Sequence, residues 1–311
     1  MDKLKKKNLF IEITNERFLF VLGEYDDELN FKIVDREIFS PSGVENGKII
    51  NLETCVNNIK KTVNKIENRS NSFFSEVNVI INQTDFDCIN VSGFKNLNGN
   101  QILSEDISYI LNDIKSKLVE TEKHKKIIHL FNTKYLLDNK LVKNLPIGLH
   151  GDFYSHQLTF FMINENEIKN LNSLFNKCNL VVKKIILKNF INDFKLINEK
   201  KRDTFINIQI NENDIYLSYF YESAFSFFQR FNFGSNIILK DIAKVCSLDI
   251  SDVQNIVSDT NFDSVGENMY VDKKYFNDKN FRKISLKHII DISSARIEEV
   301  VKIVFNNNKN L

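Results

Sequence analysis

Apolar and polar residues alternate along the first forty positions of the chain. Residues 9–22 (LFIEITNERFLFVL) form two alternating runs around a polar tip at 14–17, and a third run follows at 29–39. A period of two is typical of strands with one buried face. From Asn51 the apolar spacing changes to three and four residues. This predicts a helix over 51–67 with Asn51 as its N-cap, followed by a buried strand at 77–83.

The same two patterns recur along the rest of the chain, with loops between them at 40–50 and 142–151. Strands are predicted at 85–94, 125–138, 154–163 and 179–187, in an alternating hairpin at 203–220 (DTFINIQINENDIYLSYF), and at 270–276. Helices are predicted at 104–120 with Ser104 as N-cap, at 164–178, 232–247 and 248–258, and at 285–306. The order favours a mixed α/β fold with helices on the faces of a sheet.

The composition limits the classes of function. With 311 residues and a formal net charge of +1, the chain has no overall attraction for nucleic acid or anionic membranes. It holds only nine glycines, and a backbone that approaches a phosphate closely needs glycine. No apolar run reaches the ~18 residues of a membrane helix, and no signal peptide is recognisable. We therefore expect a cytoplasmic protein.

Other candidate chemistry has a simpler reading in each case. The four cysteines form no C-x-x-C pair, which favours free buried thiols. His129, His150 and His156 lack the spacing of metal ligands, so we expect structural histidines and no metal site. Asp85 and Asp87 are read as a solvated strand start instead of a catalytic pair.

Four segments carry a pattern that extends over nearly the whole chain. They are FIEITNERFLFVLGE (10–24), VKNLPIGLHG (142–151), FNFGSNIILKDIA (231–243) and ISSARIEEVVKIV (292–304). In order and spacing they resemble FtsA, the actin-like family of bacterial cell-division proteins. The corresponding family patterns are G-L-D/E-I-G-T-S-K, I-K-N-P-I-G-M-x-G, I-P-x-G-G-N-x-I-T-x-D-I-A and A-R-x-E-E-I.

This resemblance implies an α/β fold of the actin-like (ribonuclease H-like) ATPase type, with two lobes and an inserted α+β subdomain of the SHS2 type. The first lobe would comprise 8–84 and, after the inserted subdomain at 85–165, also 166–200. The second lobe would comprise 201–311, and its part at about 236–300 would correspond to the region where FtsA binds FtsZ.

The resemblance also places the first of two phosphate-binding hairpins at residues 14–17. Thr14 stands at the family's glycine, Asn15 and Glu16 stand at its small hydroxyl residues, and Arg17 replaces its lysine. The carboxylate of Glu16 would repel a phosphate by ~1–4 kcal/mol at a few ångströms.

The second hairpin departs further from the family pattern V-D-I-G-G-G-T-T-D-I. Asn207 stands at the aspartate that handles the metal and the attacking water, and an amide cannot act as a base. The glycine positions hold Gln209, Ile210 and Asn211, whereas Asp214 is retained. Gln254 and Val257 replace the family's Glu and Lys for the ribose and base.

These departures predict a degenerate ATPase fold that is not an enzyme and has no cofactor. Weak binding of ATP and magnesium through Gly234 and Ser235 is the remaining alternative. A hairpin that never bound phosphate would show the same residues. The chain also ends at Leu311, before the family's last glycine-rich adenosine segment and its C-terminal membrane helix. We therefore expect peripheral or indirect attachment at the division site of the inner membrane.

The partner expected from the resemblance is the C-terminal peptide of FtsZ, the tubulin-like ring protein. The basic, aromatic stretch 273–287 and the following helix provide candidate contacts, with Phe276 beside the assigned residues Phe281, Arg282, Lys287 and Arg296. A solvated face is the alternative reading, and single-stranded nucleic acid is a less favoured one. Self-association through the inserted subdomain and contacts with other division proteins are also implied. The alternative functions are a PilM-like scaffold of pilus assembly and a weak actin-like ATPase.

Overall fold

The computed structural model describes most of the chain in two units. The described residues are 7–14, 17–26, 28, 30–45, 47–82, 85–191, 193, 196, 204–222, 224–276, 281–306 and 308. The first unit contains residues 1–207 and 218–229, and the second contains 208–217 and 230–311. Asn15 and Glu16, both predicted site residues, lie outside the described part. The four-part domain division expected from the resemblance stays a prediction.

A five-stranded sheet forms the centre of the first unit. Its strands are β1 (Asn8–Ile13), β2 (Phe18–Tyr25), β3 (Phe31–Phe39), β6 (Glu76–Ile81) and β11 (Val181–Leu187). Their order is β11-β6-β1-β2-β3, with β1 parallel to β6, β6 parallel to β11, and antiparallel pairing across β1-β2-β3. The loop predicted at 40–50 contains a short ribbon of β4 (Val44–Glu45) and β5 (Lys48–Ile49).

Two helices in this unit follow the predicted periodicity. The helix α1 (Leu52–Ser70) buries Cys55, Ile59, Val63 and Ile66 along one stripe. Asn51 caps it as predicted, because its side chain accepts a hydrogen bond of 3.0 Å from Thr54 N. The helix α3 (Glu165–Lys177) buries Leu171, Leu174 and Phe175.

Residues 87–164 form an α+β module inside the first unit. The strands β7 (Asp87–Asn96), β8 (Lys125–Leu137), β9 (Lys140–Val142) and β10 (Phe153–Asn164) make an antiparallel sheet in the order β7-β10-β8-β9. The helix α2 (Ser104–Thr121) packs on it through Ile107, Ile110, Ile114 and Leu118. The prediction of Ser104 as N-cap is wrong. Leu103 occupies that position, and its N–H donates to the Asp106 carboxylate at 2.8 Å, so Ser104 is the first helical residue.

A third sheet has three strands. It has the strands β12 (Phe205–Ile210), β13 (Ile215–Tyr221) and β14 (Ala224–Phe231) in that order. The first two are the predicted hairpin, whereas β14 was not predicted.

The second unit is mainly helical after this sheet. It contains α4 (Asn236–Cys246), α5 (Ile250–Asp259) and α6 (Leu286–Val301), which continues as a π-turn over Lys302–Asn306. The strand predicted at 270–276 is wrong. Lys273–Phe276 form a 3₁₀ turn, and Tyr270 makes only an isolated bridge with Ser285. A core that includes Ile242, Val253, Ile256 and Ile289 holds the helices together.

The cysteines and two of the histidines agree with the structural interpretation made from the sequence. The four cysteines are free thiols. Burial lowers the pKa of both His129 and His156 to about 4, so both imidazoles are neutral at pH 7. Among the described residues, no group of histidines, cysteines and carboxylates is arranged to hold a metal ion. No described helix is both long enough and apolar enough to cross a membrane.

Candidate functional site: two degenerate hairpins and a helical surface

The turn of the first hairpin is closed by the side chain of Thr14. Its Oγ1 donates to Arg17 O at 2.9 Å and accepts from Arg17 N at 3.0 Å, and Thr14 N donates to the same carbonyl at 3.1 Å. Thr14 is buried. A glycine at this position would leave the Arg17 N–H without that acceptor, so the threonine side chain adds bonds between Thr14 and Arg17 that a glycine could not make.

A buried carboxylate lies next to this turn. Glu12 on β1 is within 2.8 Å of Lys188 Nζ and 3.8 Å of the Arg17 guanidinium. Arg17, which the sequence offered as a positive charge for phosphate, therefore faces a protein carboxylate. We assigned no role to Glu12 or Lys188 from the sequence. Glu12 could have been noticed as the residue at the acidic position of the family hairpin.

Asn207 on β12 is held by a second buried carboxylate of the same unit. Its Nδ2 donates to Asp193 Oδ1 at 2.5 Å. Burial raises the pKa of Asp193, and hydrogen bonds from Ser218 and Asn207 oppose that shift. The amide at position 207 thus donates a hydrogen bond to the Asp193 carboxylate, whereas an aspartate at position 207 would repel it. Asp193 was not identified from the sequence.

In the second unit, the tip of the second hairpin is bonded directly to the start of α4. Ser235 N donates to Asn211 O and Asn236 N donates to Glu212 O, each at 2.9 Å. None of the residues 209–214 has a positive φ. A glycine-type nest of backbone N–H groups needs alternating left- and right-handed residues. The tip therefore has an ordinary turn conformation.

The retained Asp214 and Gly234 serve this same contact. Asp214 accepts hydrogen bonds from Asn211 Nδ2 at 2.8 Å and Tyr216 OH at 2.9 Å, and its carboxylate is 3.3 Å from Arg230. A Cβ on Gly234 would lie 2.1 Å from Asn211 O. Gly234 is thus needed because the backbone of the hairpin tip comes this close.

The described polar groups of both hairpins are bonded within the protein. At the second hairpin, the N–H groups of Ser235 and Asn236 that could face a phosphate already donate to protein carbonyls. At the first hairpin, the cationic side chains of Arg17 and Lys188 lie beside the Glu12 carboxylate. The side chain of Gln209 reaches Asn211 Oδ1 at 3.4 Å, so it too is turned to the hairpin itself.

Two of the predicted partner-binding residues precede α6 in the chain and make structural contacts. Arg282 donates to the carbonyls of Cys246 at 3.1 Å and Ser247 at 2.7 Å, which are orphan acceptors at the helix C-terminus. Phe281 is half exposed. Its ring meets Phe276 edge-on at 5.1 Å and lies under Lys273 Nζ.

The other two residues extend along α6. Arg296 pairs with Asp241 of α4 and with Glu299 at 2.6 Å. Asp241 raises the pKa of the guanidinium further, so Arg296 stays charged. Lys287 is exposed and lies 3.5 Å from Glu267. Phe281, Arg282 and Lys287 are therefore exposed and Arg296 is partly covered, while Arg282 and Arg296 both bond to α4 or its C-terminal end.

No protein-family profile matches the chain. In sequence it is similar to the cell division protein FtsA of Buchnera aphidicola subsp. Schizaphis graminum, with 22% identity over 98% of this chain and 74% of that protein. FtsA of Neisseria meningitidis is 21% identical over the same shares. In structure it is similar to a chain of the PilM–PilN type IV pilus biogenesis complex. There the TM-score is 0.57 at 10% identity, over 96% of this chain and 76% of the other.

The fold places the chain in the class of actin-like ATPase-fold proteins, with the mixed α/β architecture expected from the sequence. Within that class, its sequence resembles the FtsA cell-division proteins along nearly its whole length, which confirms the resemblance read from the motifs.

Proposed function

We propose that the chain is a non-catalytic scaffold of the bacterial division machinery that binds the C-terminal peptide of FtsZ. The similarity to FtsA over 98% of the chain carries this proposal. The scaffold would associate with itself through the module at 87–164 and bind other division proteins. It would act in the cytoplasm, at the membrane where the cell divides, held there peripherally or through a partner.

The exposed groups of the second unit support the site of peptide binding. Phe281 offers an aromatic face with the positive charge of Lys273 beside it, and Lys287 is a further exposed cation on α6. A short apolar peptide with acidic residues is complementary to such a surface. Arg282 and Arg296, which the resemblance also assigns to the contact with the peptide, fix the helices through the Ser247 carbonyl and the Asp241 carboxylate.

Binding of a labelled FtsZ C-terminal peptide from the same organism, followed by fluorescence polarisation, tests this proposal. Saturable micromolar binding is expected, and a scrambled peptide should not bind. Phe281→Ala and Lys287→Glu should weaken binding about tenfold or more. Lys240→Glu is the matched control at an exposed position of α4. A folded wild-type chain that does not bind would overturn the proposal and favour the pilus-type alternative.

We also propose that the chain neither binds nor hydrolyses ATP. The support lies in the internal hydrogen bonds of both hairpins and in Asn207, which is an amide bonded to Asp193. Titration calorimetry with ATP and magnesium should give no binding heat at millimolar nucleotide. Saturable binding, or nucleotide-dependent assembly, would instead support the weak ATPase.

A further inference from the structure

The strand β7 is an edge of the module's sheet, and no described strand pairs with its outer side. A groove of about 360 Å³ runs between this edge and the flank of α2. Gly93 forms part of its floor, where Ile110 and Ile114 approach so closely that a Cβ would lie 2.3 Å from Ile110. The rim is formed by Tyr109, Asp113, Lys117 and Thr121, one residue per turn of the helix.

A free edge presents backbone donors and acceptors that another strand satisfies. If β7 pairs antiparallel with its own copy about a two-fold axis through Val91, residues from the same face lie opposite each other. The opposed pairs are then Asn90 with Ser92, Ile89 with Gly93, and Asp87 with Lys95. Opposite charges face each other at both ends, which favours this register. Asp87 and Lys95 already pair with Lys125 and Asp106, so the new pair would join two existing ion pairs.

The rim of α2 is complementary to itself under the same symmetry. An antiparallel copy of the helix, centred between Asp113 and Lys117, places each Asp113 opposite the Lys117 of the second copy and Tyr109 opposite Thr121. Inside one chain Asp113 and Lys117 already pair at 2.7 Å, with the lysine side chain 70% exposed. Each carboxylate would then lie between two ammonium groups.

The strand and the helix require the same axis. Along the module, Lys95 pairs with Asp106 and Gly93 contacts Ile110 and Ile114, so α2 runs antiparallel to β7. Val91 lies ~6.6 Å beyond Gly93, which corresponds to about four helical residues, at a rise of ~3.3 Å per strand residue and ~1.5 Å per helical residue. Val91 is therefore level with a helix position near 116, and the symmetric centre of the rim is between 113 and 117.

The expected distance between the two α2 helices also fits this arrangement. The residues of α2 pack in one cluster with Leu158 and Phe160 of β10, so the helix covers both β7 and β10. With strands ~4.8 Å apart, joining two sheets at β7 puts the two helix axes roughly 10 Å apart. Packed helices lie ~8–10 Å apart.

We propose that this edge is a docking surface for a second copy of the chain. Two modules would form one continuous eight-stranded antiparallel sheet with their α2 helices side by side. This deepens the proposed self-association by naming its surface and its symmetry.

The edge strand β3 shows how charged residues can disfavour such pairing. β3 ends the five-stranded sheet and exposes Ile33, Val34 and Ile38. Symmetric pairing centred on residue 35 puts Asp35 opposite itself. Centres at 34 and 36 put Lys32 opposite Arg36 and Asp35 opposite Glu37. Every central register of β3 therefore opposes like charges, which disfavours edge pairing, whereas β7 opposes unlike ones.

Sedimentation equilibrium of the full chain tests the proposal through charge reversal. Wild type should form dimers. Lys117→Asp places four acids together, Asp113→Lys places four lysines together, and each should raise the dimer dissociation constant at least about tenfold. Lys115→Asp, an exposed control outside the rim, should leave it unchanged. An equimolar mixture of the Lys117→Asp and Asp113→Lys chains should form heterodimers, because every cross-pair is then of opposite sign.

Recovery in the mixture cannot come from an effect inside one chain, so it identifies the rim as the interface. The proposal is overturned if wild type stays monomeric at all concentrations, if Lys115→Asp weakens association as much as Lys117→Asp, or if the mixture does not associate. The Lys117→Asp chain should still bind the FtsZ peptide, so failure here and failure of the proposed function are separate results.

Discussion

Gly234→Ala gives the most direct test of why the second hairpin keeps a glycine. A Cβ at this position would lie 2.1 Å from Asn211 O, 2.7 Å from Asp214 N and 2.7 Å from the carbonyl carbon of Glu212. All three atoms belong to the backbone, so no side chain can rotate away. Gly234 does not have a positive φ, and the conformation itself suits alanine. The cost of the substitution is therefore steric.

The magnitude follows from what must move. The hairpin tip has to retreat by more than about 1 Å to restore ordinary contact, and overpacking of this kind costs ~1–3 kcal/mol. The same displacement stretches the bonds from Ser235 N and Asn236 N, which contribute ~0.5–1.5 kcal/mol each. We expect a loss of about 2–4 kcal/mol. For a unit of this size that corresponds to a fall in Tm of at least about 8 °C.

Thermal and urea unfolding followed by circular dichroism measures this loss. Gly266→Ala is the matched control, because its nearest atom is the Met269 sulfur at 4.0 Å and its φ is also permissive. The control should stay within about 0.5 kcal/mol of wild type. If Gly234→Ala is as stable as Gly266→Ala, the glycine is not required by packing. A role toward a ligand would then be the better explanation for its presence.

Two further predictions concern ion pairs of the helices. Arg296→Gln should reduce the free energy of unfolding by about 1 kcal/mol, because its partner Asp241 is largely covered. Lys287→Gln, which removes an exposed pair, should change the free energy of unfolding by less than about 0.5 kcal/mol. Equal effects of the two substitutions in urea denaturation would contradict the structural role of Arg296. Asp106→Asn should cost about 1 kcal/mol at pH 7. The hydrogen bond from Lys95, followed by that from Leu103 N, lowers the pKa of Asp106 in the folded state. Its stabilisation is therefore present above the unfolded pKa of about 4 and is lost as the pH falls through the folded value, so wild type and Asp106→Asn should converge in acid. A difference that does not depend on pH would show that the charge is not what matters.

The sequence predicted most strands and helices because their periodicity reports burial directly. β14 was missed since its sequence, AFSFFQRF, is rich in aromatic residues on both faces and shows no clean alternation. The apparent strand at 270–276 has apolar residues at spacings that suit one buried Phe276 in a 3₁₀ turn equally well. Ser104 has the residue type of an N-cap. The Asp106 carboxylate instead reaches the N–H of Leu103 and shifts the helix start by one residue.

The sequence predicted which residues belong to the candidate sites, whereas only the structure shows which residues they contact within the chain. An arginine in a basic stretch gives no sign that it caps a distant helix, as Arg282 does for α4 thirty-six residues away. Similarly, nothing local in the sequence connects Asn207 to Asp193 or Glu12 to Lys188, because these pairs form across separate elements. Long-range pairing is the part of a site that residue patterns do not encode.

Three residues that still match the FtsA patterns have roles in folding. Asp241 and Arg296 belong to two separately matched segments, and they form one ion pair between α4 and α6. Gly234 is required by the close approach of the hairpin. The positions that differ, such as Asn207 and Gln209, are among those that the resemblance assigns to phosphate and metal. The presence of Asp241, Arg296 and Gly234 is therefore explained by packing and ion pairing, without a bound nucleotide.

The same reasoning predicts what happens when the family's aspartate is restored at position 207. Asn207→Asp would place a second carboxyl group within 2.5 Å of Asp193, whose pKa burial already raises. Two carboxylates cannot both ionise at that distance, so the pair must hold a proton or repel.

We expect Asn207→Asp to lower the free energy of unfolding by about 3 kcal/mol at pH 7. Because the folded pKa of the pair lies above the unfolded value, the loss should shrink as the pH falls. Urea denaturation between pH 4 and 8 measures it, with Asn207→Ser as an uncharged control that should show no such trend. A destabilisation equal at both ends of this range would refute the charge argument, whereas the expected slope would show that the buried Asp193 favours an amide over a carboxyl group at position 207.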